Sequence, residues 1–272
     1  MTLFTNVRKE DLRPLYKEGF VEEEIKTTYE QLRLKKNNLI LVLYTSGKLL
    51  LQGKKKEIDE TSQLLKKHGV GEKQKTGTYR SEVGWIIGSD ECLKGDTFGG
   101  IVVAAVKGDE KVRKQLIELG VADSKKLGDK EILLMAEKIK NITSCQIKSL
   151  LPEEYNTFKG NVTELLNNLH QECASFLMPG MHVVDKYPGC DVGSIQEEKA
   201  ESKYVEVAAA SILARSTGLK QLDFLSAQAG FTLPKGSTHV SEALKELKER
   251  EYNFKKFVKV DFKNVREFMR GK

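Results

Sequence analysis

The chain has 272 residues, a length that allows about two domains, and 39% apolar residues, enough to bury a sizeable core. It opens Met1-Thr2-Leu3-Phe4-Thr5-Asn6, without the basic-then-apolar pattern of a leader, and no run is long enough to span a bilayer; a cytoplasmic protein with no membrane partner is expected. The net charge of +6 falls entirely within the first 80 residues, which suits either a module attracted to polyanions or a solvated lysine-rich face.

In chain order, 11–17 and 22–28 read as helices, the first limited by Pro14 and Gly19. Leu32 and Leu34 share one face of a half-buried strand over 29–35. Residues 39–44 and 48–52 flank the turn Thr45-Ser46-Gly47 and form a hairpin. Lys54-Lys55-Lys56 leads into an amphipathic helix whose Ile58, Leu64 and Leu65 can cover that sheet. Residues 1–68 therefore make a small α+β domain, and Gly69, Gly71 and Gly77 among polar residues mark 69–80 as a linker.

The second domain, 81–272, begins with an apolar strand over 83–87 that should end at Gly88 and Ser89, setting Asp90 and Glu91 at its tip. A second β-branched run over 101–106 is its expected neighbour. Adjacent carboxylates raise each other's cost of ionising, and a hard divalent cation relieves it; the alternative is an acidic surface turn. Cys92, beside the acids, reads as a packing residue. The four cysteines form no CxxC pair and the four histidines have no zinc-site spacing, so no zinc site is expected and a reduced compartment is the simpler reading. Helices follow over 110–119 and 129–140, a strand over 144–150, and a long helix over 162–177. A short strand over 181–184 delivers Asp185 to its end, and Glu201 precedes the longest helical pattern, 205–227. Strands interleaved with helices imply an α/β layer.

Several ordered motifs carry a resemblance. Gly88-Ser89-Asp90-Glu91 with Gly95-Asp96-Thr97-Phe98-Gly99 resembles the first signature of the type 2 ribonucleases H, and its second part is similar to the ribonuclease HIII branch. Ala122-Asp123-Ser124-Lys125-Lys126-Leu127, Val183-Val184-Asp185-Lys186-Tyr187, and Lys199-Ala200-Glu201-Ser202-Lys203-Tyr204 ahead of an alanine-rich helix resemble later signatures in the family's order. Leu233-Pro234-Lys235-Gly236-Ser237 and Phe262-Lys263-Asn264 are similar to its last ones.

The resemblance implies a ribonuclease H-like mixed sheet flanked by helices, preceded by a TATA-binding-protein-like domain that helps hold the substrate. It implies a monomeric endonuclease that cuts the RNA strand of RNA/DNA hybrids, leaving 3′-hydroxyl and 5′-phosphate ends. Asp90, Glu91, Asp185 and Glu201 are then the catalytic acids, holding two Mg2+ or Mn2+ ions. Lys125, Lys126, Lys203 and Lys235 would meet phosphates, and the turn Cys92, Leu93, Lys94, Gly95 would read the ribose. Leu93-Lys94-Gly95 departs from a family turn with glycine on both sides of a variable residue, so a rebuilt loop is expected; Gly100 stands where proline is usual. That departure keeps open a catalytically weak hybrid-binding protein, and a related nuclease acting on DNA junctions is a further alternative.

Overall fold

The computed structural model describes residues 2–70, 72–73, 79–80, 82–121 and 127–271, in two compact units, 1–76 and 77–272. The first unit runs β1 (Thr2–Thr5), α1 (Arg13–Lys17), β2 (Val21–Glu23), β3 (Glu30–Lys36), β4 (Leu39–Tyr44), β5 (Leu49–Gln52), α2 (Lys55–Lys67) and β6 (Glu72–Lys73). Its sheet has the order β2-β3-β4-β5-β1-β6, and every pair is antiparallel. Alternation along the strands turns Leu32, Leu34, Leu41, Leu43, Leu49 and Leu51 to one face, where Leu12, Leu15, Ile58 and Leu65 from the helical segments cover them.

The expected helix over 22–28 is not formed. Val21–Glu23 instead pairs with β3, in register Val21 with Lys35 and Glu23 with Arg33, and Glu23 forms ion pairs with both Arg33 and Lys35. A helix there would have had only Ile25 to bury, whereas the strand extends the sheet. The described ends of 69–80 also belong to the units: Val70 packs in the first core, and Glu72–Lys73 pairs with β1. Tyr79 donates to the Val121 carbonyl, and Arg80 pairs with Glu197.

The second unit runs β7 (Ile86–Cys92), β8 (Ile101–Gly108), α3 (Glu110–Leu119), α4 (Asp129–Ile142), β9 (Cys145–Leu150), α5 (Pro152–Tyr155), α6 (Val162–Ser175), β10 (Met181–Asp185), β11 (Ile195–Glu197), α7 (Val205–Ala229), α8 (Ser241–Glu249) and α9 (Lys263–Met269). The sheet order is β11-β10-β7-β8-β9, parallel from β11 to β7 and antiparallel from β7 to β9, so the sheet is mixed. Helices lie on both faces. β8 sends Val102, Ala104 and Val106 to the side of α4 and α7, and Ile101, Val103 and Ala105 to the side of α6.

Helix α7 is apolar nearly all round and buried along most of its 25 residues, as a helix through a core must be. Its first turn lies against β7 at Gly88: a Cβ there would stand 2.3 Å from the Val207 nitrogen, so only glycine admits the approach. Gly88 therefore serves the packing of a strand interior and does not end the strand. β7 starts later than expected and runs on through Cys92, while Val83 is 91% exposed ahead of it. Asp90 and Glu91 consequently lie inside the strand. No helix of the described residues is long and apolar enough to cross a membrane.

Candidate active site

Because successive side chains of a strand alternate, Asp90 and Glu91 point to opposite faces of the sheet. Asp90 faces α7 and is hydrogen-bonded to Ser211; Glu91 faces α6 and meets His170, with Nε2 to Oε2 at 3.4 Å. β10 runs parallel beside β7 with Val184 opposite Ser89, which brings Asp185, the next residue, alongside Asp90. Asp185 accepts a 2.8 Å bond from the Ala200 backbone N–H and shares a hydrogen bond with Glu201, which sits on a 3-10 turn just ahead of α7. Three separate segments thus bring the four acids to one end of the sheet.

Asp90, Glu91 and Asp185 line a cleft of about 510 Å³, together with the loop 92–96, Ser211, Arg215, Leu219, Leu222 and Lys235. Burial, then the neighbouring charges of Glu91 and Asp185, push the Asp90 carboxyl well above the usual range, against the opposing bond from Ser211. Burial also lifts Asp185 to about 6, with the Glu201 and Glu91 charges adding to it and the Ala200 N–H opposing. Glu91 behaves differently: burial raises it, but His170 and the Lys94 ammonium, 2.5 Å from Oε1, outweigh that and hold it low.

As the side chains stand, no three His, Cys, Asp or Glu groups among the described residues form a ready metal cluster. The geometry explains this, since Glu91 is turned to Lys94 and His170, and one Asp185 oxygen to Ala200. The donor chemistry nevertheless fits a hard divalent cation. The four groups offer only oxygen, and buried carboxylates that raise one another's pKa carry negative charge which such a cation would neutralise.

The turn after the acids keeps a glycine-like backbone despite its side chains. Leu93 has φ 66°, in the left-handed region, and its side chain is only 5% exposed, packed beside Gly99 and Gly218 in the main core. Burial of the leucine offsets the backbone strain of this path. Gly100 is also accounted for. Its N–H donates to Gln221 Oε1 at 2.7 Å, a bond proline cannot make, and a Cβ there would lie 2.1 Å from the Leu150 oxygen. Burial, followed by the Asp96 and Asp90 charges, lifts the Cys92 thiol to about 12, which keeps it a packing group.

Among the lysines, Lys235 lines the cleft and is paired with Asp129, which also holds Arg215 at 3.4 Å. Lys203 is turned away from the cleft lining, to Glu197 at 2.6 Å. Lys125 and Lys126 lie outside the described residues. Sequence reading missed Ser211 and Arg215; their separation of four on a helix, which puts both on one face, was the available signal. It also missed Ser89, His170 and His182, for which no spacing signal exists because three different elements supply them.

Comparison with known proteins agrees with this fold. The family model described as Ribonuclease HII matches residues 87–265. A ribonuclease HIII of Streptococcus agalactiae is 31% identical over 257 residues, covering 82% of this chain and 85% of the relative. A ribonuclease HIII of Streptococcus pyogenes is 34% identical over 240 residues, covering 79% of each. Among solved structures, Bst-RNase HIII in complex with Mn2+ superposes with a TM-score of 0.62 at 26% identity, covering 99% of this chain and 98% of the other. The chain therefore belongs to the ribonuclease HII family, in its ribonuclease HIII branch, and is an enzyme of the ribonuclease H class.

Proposed function

We propose that the chain is an endonuclease that hydrolyses the RNA strand of RNA/DNA hybrids, leaving 3′-hydroxyl and 5′-phosphate ends. Asp90, Glu91, Asp185 and Glu201 would hold two divalent cations, Mg2+ or Mn2+. The observation that carries this reading is the meeting of acids from three chain segments at one end of the sheet, where Asp90, Glu91 and Asp185 line a cleft and burial, with neighbouring acid charges, raises Asp90 and Asp185. When bound, such a pair of cations activates water on one side of phosphorus and stabilises the leaving oxygen on the other.

The protein's own groups bind and orient. Arg215 and Lys235 on the cleft wall suit phosphate oxygens, and Asp129 between them keeps both side chains directed there. The 92–95 turn offers backbone close to the acids, suited to sensing a 2′-hydroxyl in a shallow minor groove. Lys94 supplies positive charge to Glu91 Oε1 in the absence of metal, and must release that oxygen for a cation to take it. The first unit would add grip, through the sheet face that carries Lys35, Ile40, Leu50 and Gln52, opposite the face covered by helices.

A labelled hybrid incubated with Mg2+ or Mn2+ tests the reading. Cleavage that chelator abolishes is expected, with Asp90→Asn and Asp185→Asn lowering it by about two to three orders of magnitude while hybrid binding persists. Binding without cleavage in the wild type would favour a hybrid-binding protein, and cutting of all-DNA junctions would favour the related nuclease.

A further inference from the structure

Behind the acid cleft runs a line of buried polar side chains to which the reading above assigns no task. Ser89 precedes Asp90 on β7 and shares the α6 side of the sheet with Glu91. Its hydroxyl lies 2.8 Å from His170 Nδ1 on α6 and 2.8 Å from His182 Nε2 on β10. Ser89 and His170 are fully buried and His182 nearly so. His170 Nε2 and Glu91 Oε2 face each other at 3.4 Å, and neither buried atom has another hydrogen-bond partner among the described residues. Taking three polar groups out of water in a region otherwise filled by Leu166, Leu169 and Cys173 is costly unless each finds a partner.

Proton placement along this line is constrained at one end. An ionised carboxylate only accepts, so the His170 nitrogen that faces Glu91 must carry a hydrogen. Two arrangements then remain. In one, neutral His170 accepts the Ser89 hydroxyl proton at Nδ1, and the Ser89 oxygen accepts from His182 Nε2–H. In the other, His170 bears hydrogen on both nitrogens and donates to Ser89, whose hydroxyl donates to a bare His182 Nε2. Both hydrogen bonds at Ser89 reverse between them, His170 Nδ1 gaining a hydrogen and His182 Nε2 losing one. The N–H aimed at Glu91 is common to both.

We propose that His170, braced by Ser89 and His182, is a positioning residue that fixes which oxygen of Glu91 faces the cleft. Held from behind at Oε2, Glu91 presents Oε1, the atom now beside Lys94, to an incoming cation. The inference rests on the reading of Glu91 as a metal ligand, and partners of this kind typically change metal affinity by about 10- to 100-fold when removed.

Mn2+ titration calorimetry on the full chain tests it with Glu91→Gln, His170→Phe, His170→Gln and Ser89→Ala. Affinity should fall about tenfold or more in His170→Phe and Ser89→Ala, and His170→Gln, which can return an N–H to the same position, should recover most of it. Imidazole nitrogen NMR of the metal-free wild type should find His170 Nε2 protonated, a readout that does not depend on any variant folding. Wild-type affinity in His170→Phe beside a weakened Glu91→Gln would overturn the inference and leave the role of Glu91 standing. No recovery in His170→Gln, or a bare Nε2 in the wild type, would overturn it as well. Unchanged affinity in Glu91→Gln would instead overturn the reading on which it rests.

Discussion

Leu93 is the residue at which backbone and side chain pull in opposite directions. A left-handed φ costs a non-glycine residue roughly 1–2 kcal/mol, while emptying a packed leucine site costs about 2–5 kcal/mol. Packing wins, so Leu93→Gly should lower unfolding stability by about 1–3 kcal/mol, seen as a lower urea midpoint at unchanged slope. Because the turn already has the glycine-like path, hybrid affinity should not improve. Asp185 shows the opposite balance. Its carboxyl, lifted to about 6 chiefly by burial, stays protonated in the folded chain at pH values where the unfolded chain has already lost the proton. The stability from that retained proton is full below about pH 4 and is lost as pH rises through about 6. At pH 7 without metal, the ionised group then costs about 1–2 kcal/mol after allowance for its partial exposure. Asp185→Asn keeps the Ala200 bond and removes the charge, so in chelator it should melt a few degrees above wild type at pH 7, with the gap shrinking toward pH 5. An equal gap at both pH values would count against a raised carboxyl.

At the scale of elements, α7 governs the site, since it carries Ser211 and Arg215 and starts just after Glu201. Its first turn is anchored by Glu206, wholly buried, to Arg113 of α3 at 2.9 Å. The same guanidinium donates to the carbonyls of Gly108, Glu82 and Gly84, so one side chain ties α3 and α7 to the end of β8 and to the segment ahead of β7. Removing it leaves Glu206 charged and buried, a loss of about 3–5 kcal/mol. Arg113→Ala should therefore unfold at markedly lower urea, and adding Glu206→Gln should recover part of the loss by removing the lone charge. A double variant no more stable than Arg113→Ala would show that the cost lies in the three carbonyl bonds.

Over the whole molecule, charge and acids are segregated. The excess of +6 lies in the first 80 residues, whereas Asp90, Glu91, Asp185 and Glu201 all belong to the unit 77–272. That unit has its own packed cores on both sheet faces, so removal of 1–76 should leave a folded protein with metal-dependent cleavage at abundant hybrid. Hybrid affinity should drop, and its dependence on salt should become shallower by about one counterion for each phosphate contact removed. Equal salt slopes for the whole chain and the shortened one would mean that the first unit's lysines are only solvated surface.

Much of this was legible along the chain. The ordered acid motifs, the 39–52 hairpin and the long buried helix are local patterns, and local pattern is what a linear reading can weigh. The strand over 21–23 was not legible, because its stability comes from pairing with β3 and not from its own residues. Gly88 reads as a strand end in sequence, yet it admits α7 in space, and so Asp90 and Glu91 face opposite sides of the sheet. Which charge stands beside which acid was equally out of reach. Lys94 meets Glu91 through the left-handed turn at Leu93, while Ser211 beside Asp90 and the Ser89, His170, His182 line are contacts made by topology, and only the folded chain brings those residues within hydrogen-bonding distance.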